Sequence, residues 1–191
     1  MLKRMPNASC AALTCHPCTP AGAVRRVAVE VRRSADGMLA LGFGVDGEID
    51  RIRIPTPGPL CMEHQLWLHT CFEAFLAFGE GGAYHELNLA PSRAWMAYSF
   101  ESYREGLVTA GDMTPVTKID TGVAGGRFAL DAVVALDRLS RVHRSAALRV
   151  GLAAVIETTD GSLSYWALRH PPGRPDFHHA DTWTMRLEAV V

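Results

Sequence analysis

No stretch of this chain sustains an apolar repeat at 3.6 residues; its apolar residues come in short period-two runs that stop at Gly or Pro. From Ala23 to Arg33, Val27, Val29 and Val31 fall on one side, the pattern of a half-buried strand. Asp36-Gly37 turns the chain, and Met38 to Val45 resumes as the hairpin partner. Asp46-Gly47 turns it again, and Pro55-Thr56-Pro57-Gly58-Pro59 cannot lie in a central strand. Further runs follow over Trp67 to Phe78, Ala83 to Ala90, Ala94 to Phe100, Arg127 to Leu136, Ala147 to Thr158, Ser162 to Arg169 and Thr182 to Val190. Asp160-Gly161 makes a hairpin of Ala147–Thr158 and Ser162–Arg169, and Leu136 to Ser140 reads as one helical turn. About ten strands at near-even spacing predict an all-β fold, a single antiparallel β-sandwich of jelly-roll type. No internal repeat or low-complexity linker divides the chain. The expected organisation is a flexible tail over 1–12 and one domain over 13–191.

With 48% hydrophobic and 20% charged residues, a chain of 191 residues can bury a core without covalent staples. Its net charge is −1, and only Lys3 and Lys118 are lysines, so no basic stripe exists to follow a phosphate backbone or an anionic membrane. Neither nucleic acid nor membrane is expected as a partner. Met1 to Asn7 carries two positive charges with no apolar run of roughly 7–15 residues behind them, which makes the cytoplasm the expected location. Five cysteines, an odd number without a regular framework, suit reduced thiols. Cys15-His16-Pro17-Cys18 has the spacing of a zinc or redox pair but lacks a second pair, and a structural role is the plainer reading.

The chemistry concentrates in two stretches. In the first, Trp67, His69, Cys71, Glu73 and Phe75 would share one face of a strand, with Phe72, Ala74 and Leu76 turned into the core. Across the turn at Gly79 to Gly82, Tyr84, Glu86 and Asn88 would form the matching row of an antiparallel neighbour. Aromatic, acid and amide groups on one sheet face can stack on a sugar ring and bond its hydroxyls; the plainer alternative is the solvated side of a sheet. His69, Cys71 and Glu73 are metal-ligand types, but along a strand they spread over about 13 Å, so no metal is expected. The second stretch ends a strand at Arg169-His170 and passes through Pro171, Pro172, Gly173 and Pro175, a stiff loop presenting Arg174, Asp176, Phe177, His178, His179 and Asp181. No Gly-x-Ser-x-Gly elbow or phosphate-cradling glycine motif is present. Glu73 with Glu86 could act as an acid/base pair on a glycoside or nucleotide sugar, as any two neighbouring acids could.

Trp67-x-His69-Thr70-Cys71-Phe72-Glu73-Ala74-Phe75, followed by Tyr84-x-Glu86-x-Asn88-x-Ala90-Pro91-Ser92, resembles the DOMON-like domains related to family 9 carbohydrate-binding modules. It is similar in particular to the DOMON-like group associated with UDP-N-acetylenolpyruvoylglucosamine reductase. Trp95-x-Ala97-Tyr98-x-Phe100-x-x-Tyr103-Arg104, Tyr165-Trp166-Ala167-Leu168-x-His170-Pro171 and Pro175-Asp176-Phe177-His178 extend the similarity over roughly residues 13 to 190. The resemblance implies an antiparallel β-sandwich with a ligand cleft on one sheet, used for sugar or haem and not for catalysis. It makes Trp67 or Trp95, with Trp166 or Trp183, candidate sugar-stacking residues. Cys15-His16-Pro17-Cys18 is followed by Thr19, so no c-type haem attachment exists, and haem ranks below sugar.

These observations together predict a non-catalytic module for a sugar or sugar derivative, with no cofactor and no metal. Its expected binding residues are Trp67, Glu73, Tyr84, Glu86, Asn88, Trp95, Trp166, Arg169, Arg174 and His178. Arg169 or Arg174 would take a carboxylate or phosphate, and Trp67 or Trp166 would form the apolar wall. The alternatives are a carboxylate enzyme, a haem binder, or an interaction module docking a protein partner.

Overall fold

A computed structural model describes residues 8–79, 81–109 and 114–190. Its strands, in chain order, are β1 (Ala8–Cys15), β2 (Val24–Arg33), β3 (Met38–Gly47), β4 (Cys61–Met62), β5 (Cys71–Phe78), β6 (Tyr84–Leu89) and β7 (Ala94–Phe100). They continue with β8 (Val108–Thr109), β9 (Val116–Ala124), β10 (Arg127–Ala135), β11 (Leu148–Glu157), β12 (Leu163–Ala167) and β13 (Met185–Leu187). The all-β expectation holds. The strands form one curled sheet of 13, ordered β4-β7-β6-β5-β11-β12-β1-β2-β3-β10-β9, with β13 on β11 and β8 on β7. Every pairing between strands is antiparallel except β4 with β7.

The sheet curls because β1 changes partner. Ala8 to Leu13 pair with β2, whereas Thr14 and Cys15 pair with β12. One strand thereby joins a limb of β1-β2-β3-β10-β9 to a limb of β12-β11-β5-β6-β7. Residues 8–12, expected in a tail, belong to this strand; residues 1–7 lie outside the described residues. Ala, Cys and Ser in that segment give almost no hydrophobic alternation from which a strand could be read.

The inner faces of the two limbs meet in one core, supplied by Val27, Val29 and Val31 from β2, Leu39, Leu41 and Phe43 from β3, and Phe128 and Leu130 from β10. Opposite them lie Phe72, Ala74 and Leu76 of β5, Leu87 and Leu89 of β6, and Leu152 and Ala154 of β11. Phe72 sits at the centre, its ring 5.0 Å from that of Phe43 and 5.9 Å from that of Phe128. The turn expected at Leu136 is present as a 3-10 turn over Leu136–Arg138. The strand expected from Trp67 to Phe78 begins only at Cys71, because Leu66–Leu68 winds into a 3-10 turn entered through Gln65 at φ 61. The strand expected over Thr182 to Val190 contracts to Met185–Leu187. A strand over Val116–Ala124, absent from the sequence reading, pairs with β10.

Candidate functional site

Period two divides β5 as the sequence implies: Phe72, Ala74 and Leu76 enter the core, and Cys71, Glu73, Phe75 and Ala77 face outward. The register aligns this outward row with its neighbours: Glu73 lies opposite Asn88, Phe75 opposite Glu86 and Ala77 opposite Tyr84. On the far side of β6, Glu86 lies opposite Tyr98 and Tyr84 opposite Phe100. This outward face is not solvated. Phe75, Tyr84, Met96, Tyr98, Phe100, Val155, Phe177 and Trp183 form a second buried cluster upon it. β5 is consequently buried on both faces up to its last residue.

Gly151 permits that cover. On β11, opposite Phe75, it is pressed by the Trp183 indole, and a Cβ there would meet Trp183 Cδ1 at 2.1 Å. Only glycine allows this approach. Trp183 stacks on Phe75, with ring centroids 6.2 Å apart, and donates its Nε1–H to the Phe177 carbonyl at 3.1 Å. The indole thus fastens the proline-braced loop to the sheet.

Between the sheet and its covering segments lies a cleft of about 730 Å³. Glu73 and Glu86 lie in its lining, with Trp67, Tyr98, Tyr165, Phe177, His178 and Arg104 among the residues around them. The carboxyls are 3% and 5% exposed as residues, so each reaches solvent only through this cleft. Asn88 Nδ2 donates to Glu86 Oε1 at 2.8 Å, and His178 Nε2 stands 3.6 Å from Glu86 Oε2. Behind them Tyr84 Oη lies 2.7 Å from His178 Nδ1 and accepts the Arg104 backbone N–H at 3.2 Å. Arg104 adopts φ 58, a left-handed conformation uncommon outside glycine. Its guanidinium donates to Asp176 Oδ1 at 3.0 Å, and Tyr103 donates its hydroxyl to Asp176 Oδ2 at 2.7 Å. A second anchor therefore fixes the loop at Asp176.

Burial governs the charges here. It pushes Glu86 up to about 7, with the Asn88 hydrogen bond and Arg104 pulling the other way. Burial pushes Glu73 well above the usual carboxylate range, and the neighbouring Glu86 pushes it further. Burial also lowers His178 to about 4, helped by Arg104, so the ring is neutral at pH 7. A neutral ring accepting the Tyr84 hydroxyl proton at Nδ1 carries its own proton on Nε2, facing Glu86.

Of the residues expected to bind ligand, Trp67, Glu73, Glu86 and His178 line the cleft. Tyr84 and Asn88 lie behind the lining and hold His178 and Glu86 in place. Trp95 and Trp166 belong elsewhere. Trp95 lies opposite Leu89, and Trp166 opposite Ala154, so both point into the inter-limb core, where Trp166 donates to Ser164 Oγ. Arg169 is exposed beyond the end of β12, away from the cleft lining. Arg174 lies on an adjoining cavity of about 500 Å³ with Pro171, Pro172, His179 and Asp181. His69, outside the strand, bonds Glu157 at 2.8 Å instead of joining Glu73. No group of three or more His, Cys, Asp or Glu fit to hold a metal ion occurs among the described residues. The sequence reading missed Tyr98, Arg104 and Tyr165. Tyr98 carried a usable signal, since it shares the parity of Met96 and Phe100 on β7.

Known structures resemble this architecture. One, from Bacteroides uniformis, is described as a "putative carbohydrate-binding protein"; it matches with a TM-score of 0.61 and 15% identity over 83% of this chain and 76% of its own. A family 9 carbohydrate-binding module from Caldicellulosiruptor kristjanssonii, solved with cellotriose, matches with a TM-score of 0.52 and 12% identity over 87% and 75%. The likeness is one of fold. No protein-family profile and no curated protein matches the sequence.

Proposed function

We propose that this chain binds a small sugar or sugar derivative in the cleft on the outward face of β5, β6 and β7, without transforming it. The observation that carries the reading is the half-exposed Trp67 indole on the rim of a cleft in which two carboxyls are reachable. An indole supplies the apolar face on which a pyranose stacks, and carboxyl, imidazole and guanidinium groups bond its hydroxyls. The fold shared with carbohydrate-binding proteins supports it. The same reading places the chain with the DOMON-like domains related to family 9 modules, on the motifs around Glu73, Glu86 and His178. Five unpaired cysteines favour a reducing compartment, the cytoplasm. The test is a thermal-shift screen over monosaccharides, cello-oligosaccharides, nucleotide sugars and haem. A ligand at 100 times its Kd stabilises by about 2.7 kcal/mol, so sugars should raise Tm and haem should not. No shift with any sugar ends the proposal.

The raised Glu86 favours a second reading, in which the acid pair works on a glycosidic bond. Turnover of glycosides or nucleotide sugars that Glu73→Gln abolishes would establish the enzyme in place of the binder.

A further inference from the structure

Glu73 is the anomaly of the cleft. It is 3% exposed and lines the cavity, yet its carboxyl has no hydrogen-bond partner among the described residues, while Asn88, directly opposite, donates to Glu86. A buried carboxyl without a partner is costly to ionise, and a second carboxyl beside it makes matters worse. The internal cation relieves it only in part, since Arg104 pulls both carboxyls down and both remain raised. Arg104, the one Arg or Lys in the lining, is held by Asp176, and His178 is neutral at pH 7. The other titratable groups facing the site are Cys71, Tyr84, Tyr98, Tyr165 and His64, whose Nδ1 lies 3.4 Å from the Tyr98 hydroxyl oxygen. The site thus sets two acids against an aromatic wall, and its one guanidinium is already paired with Asp176.

We propose that the ligand carries a protonated primary amine on a six-membered ring, the ammonium seated between Glu73 and Glu86 and the ring against Trp67 and Tyr98. Charge and shape both point there. An ammonium offers three donors, where Glu73 has none and Glu86 has only the Asn88 amide at hydrogen-bond distance, and charge-assisted bonds are stronger than those to a neutral hydroxyl. Aromatic faces favour a cation over a neutral group. The cleft is large enough for a ring with its substituents, and Phe177, Tyr165, Leu107 and Leu163 leave little polar surface for a hydroxyl on every carbon. Binding would release protons from both the Glu73 and Glu86 carboxyls to solvent, leaving two carboxylates around one ammonium. The inference rests on the sugar-binding reading for the ring and goes beyond it in the charge.

Calorimetry at pH 6.5 with glucosamine, glucose, N-acetylglucosamine and cyclohexylamine tests it. Glucosamine should bind at least roughly tenfold tighter than glucose or N-acetylglucosamine. Titrations in buffers of different ionisation enthalpy should show proton release with both amines and none with glucose. Glu73→Gln, which keeps the shape of the carboxyl and cannot take its charge, should bring the glucosamine-to-glucose ratio to within about threefold. Equal binding of glucosamine and glucose overturns the amine inference and leaves the sugar reading standing. Binding of cyclohexylamine without any of the three sugars supports the amine and ends the sugar reading. Stabilisation by calcium or zinc ions with no response to either amine overturns the inference in favour of a metal.

Discussion

Asn88 faces Glu73 across β5 and β6, yet gives its amide to Glu86, 2.8 Å away on its own strand. The two acids therefore differ, one held by an internal donor and the other open to whatever enters the cleft. That difference orders the roles: Glu86 is positioned by the protein, and Glu73 waits for a partner.

Trp67 and Trp166 should respond in opposite ways to truncation. Trp67 sits in an exposed turn, so Trp67→Ala should leave the denaturation midpoint nearly unchanged and weaken ligand binding by about tenfold. Trp166 is 4% exposed in the inter-limb core, and Trp166→Ala should cost about 3–5 kcal/mol in urea unfolding. Equal loss of stability in both variants would contradict the placement.

Glu86 should make the free protein less stable as pH rises. A carboxyl at about 7 in the fold, against 4.5 when exposed, keeps its proton longer folded than unfolded. Its contribution is full below pH 4.5 and is lost through pH 7. Relative to wild type, Glu86→Gln should gain stability across that window and gain no more above it. Paired denaturant titrations at pH 4.5, 6 and 8 give the comparison.

His143, like His178, should make the protein less stable as pH falls. It is 4% exposed, its Nδ1 finds no partner, and its Nε2 lies 3.0 Å from His85 Nδ1. Burial, with His85 and Arg33 nearby, holds it at about 4, below the 6.5 of an exposed histidine. Its share of stability is present above pH 6.5 and is lost as pH falls to about 4. His143→Gln should flatten the fall in Tm over that range.

Gly151→Ala tests the cover of the cleft. The new methyl would displace the Trp183 indole and break its bond to the Phe177 carbonyl. Overpacking of this kind costs about 1–3 kcal/mol. Near-UV circular dichroism should lose the Trp183 share of its tryptophan signal in parallel, and ligand affinity should fall with it.

The elements easiest to read were those closed by local chemistry. Asp36-Gly37 and Asp160-Gly161 turn where their glycines take φ 86 and 84, and both hairpins follow. Period two also placed Glu73, Glu86 and Asn88 on one face. The same rule, carried across the register, separates Tyr98 from Trp95 and Tyr165 from Trp166; a tryptophan's suitability for stacking drew attention away from its parity. What no local pattern could supply was the cover. Gln65 to Leu68, Arg104, and Pro175 to His178 are far apart in sequence and meet only over the folded sheet. Arg104 and Gln65 hold left-handed conformations that their residue types do not announce.

The partner change of β1 between Leu13 and Thr14 has a mechanical side. A strand stitched to both limbs leaves no cleavage plane between them: stripping it from β2 loosens the same residues that close the sheet at β12. A single cooperative transition is expected in place of limb-by-limb melting.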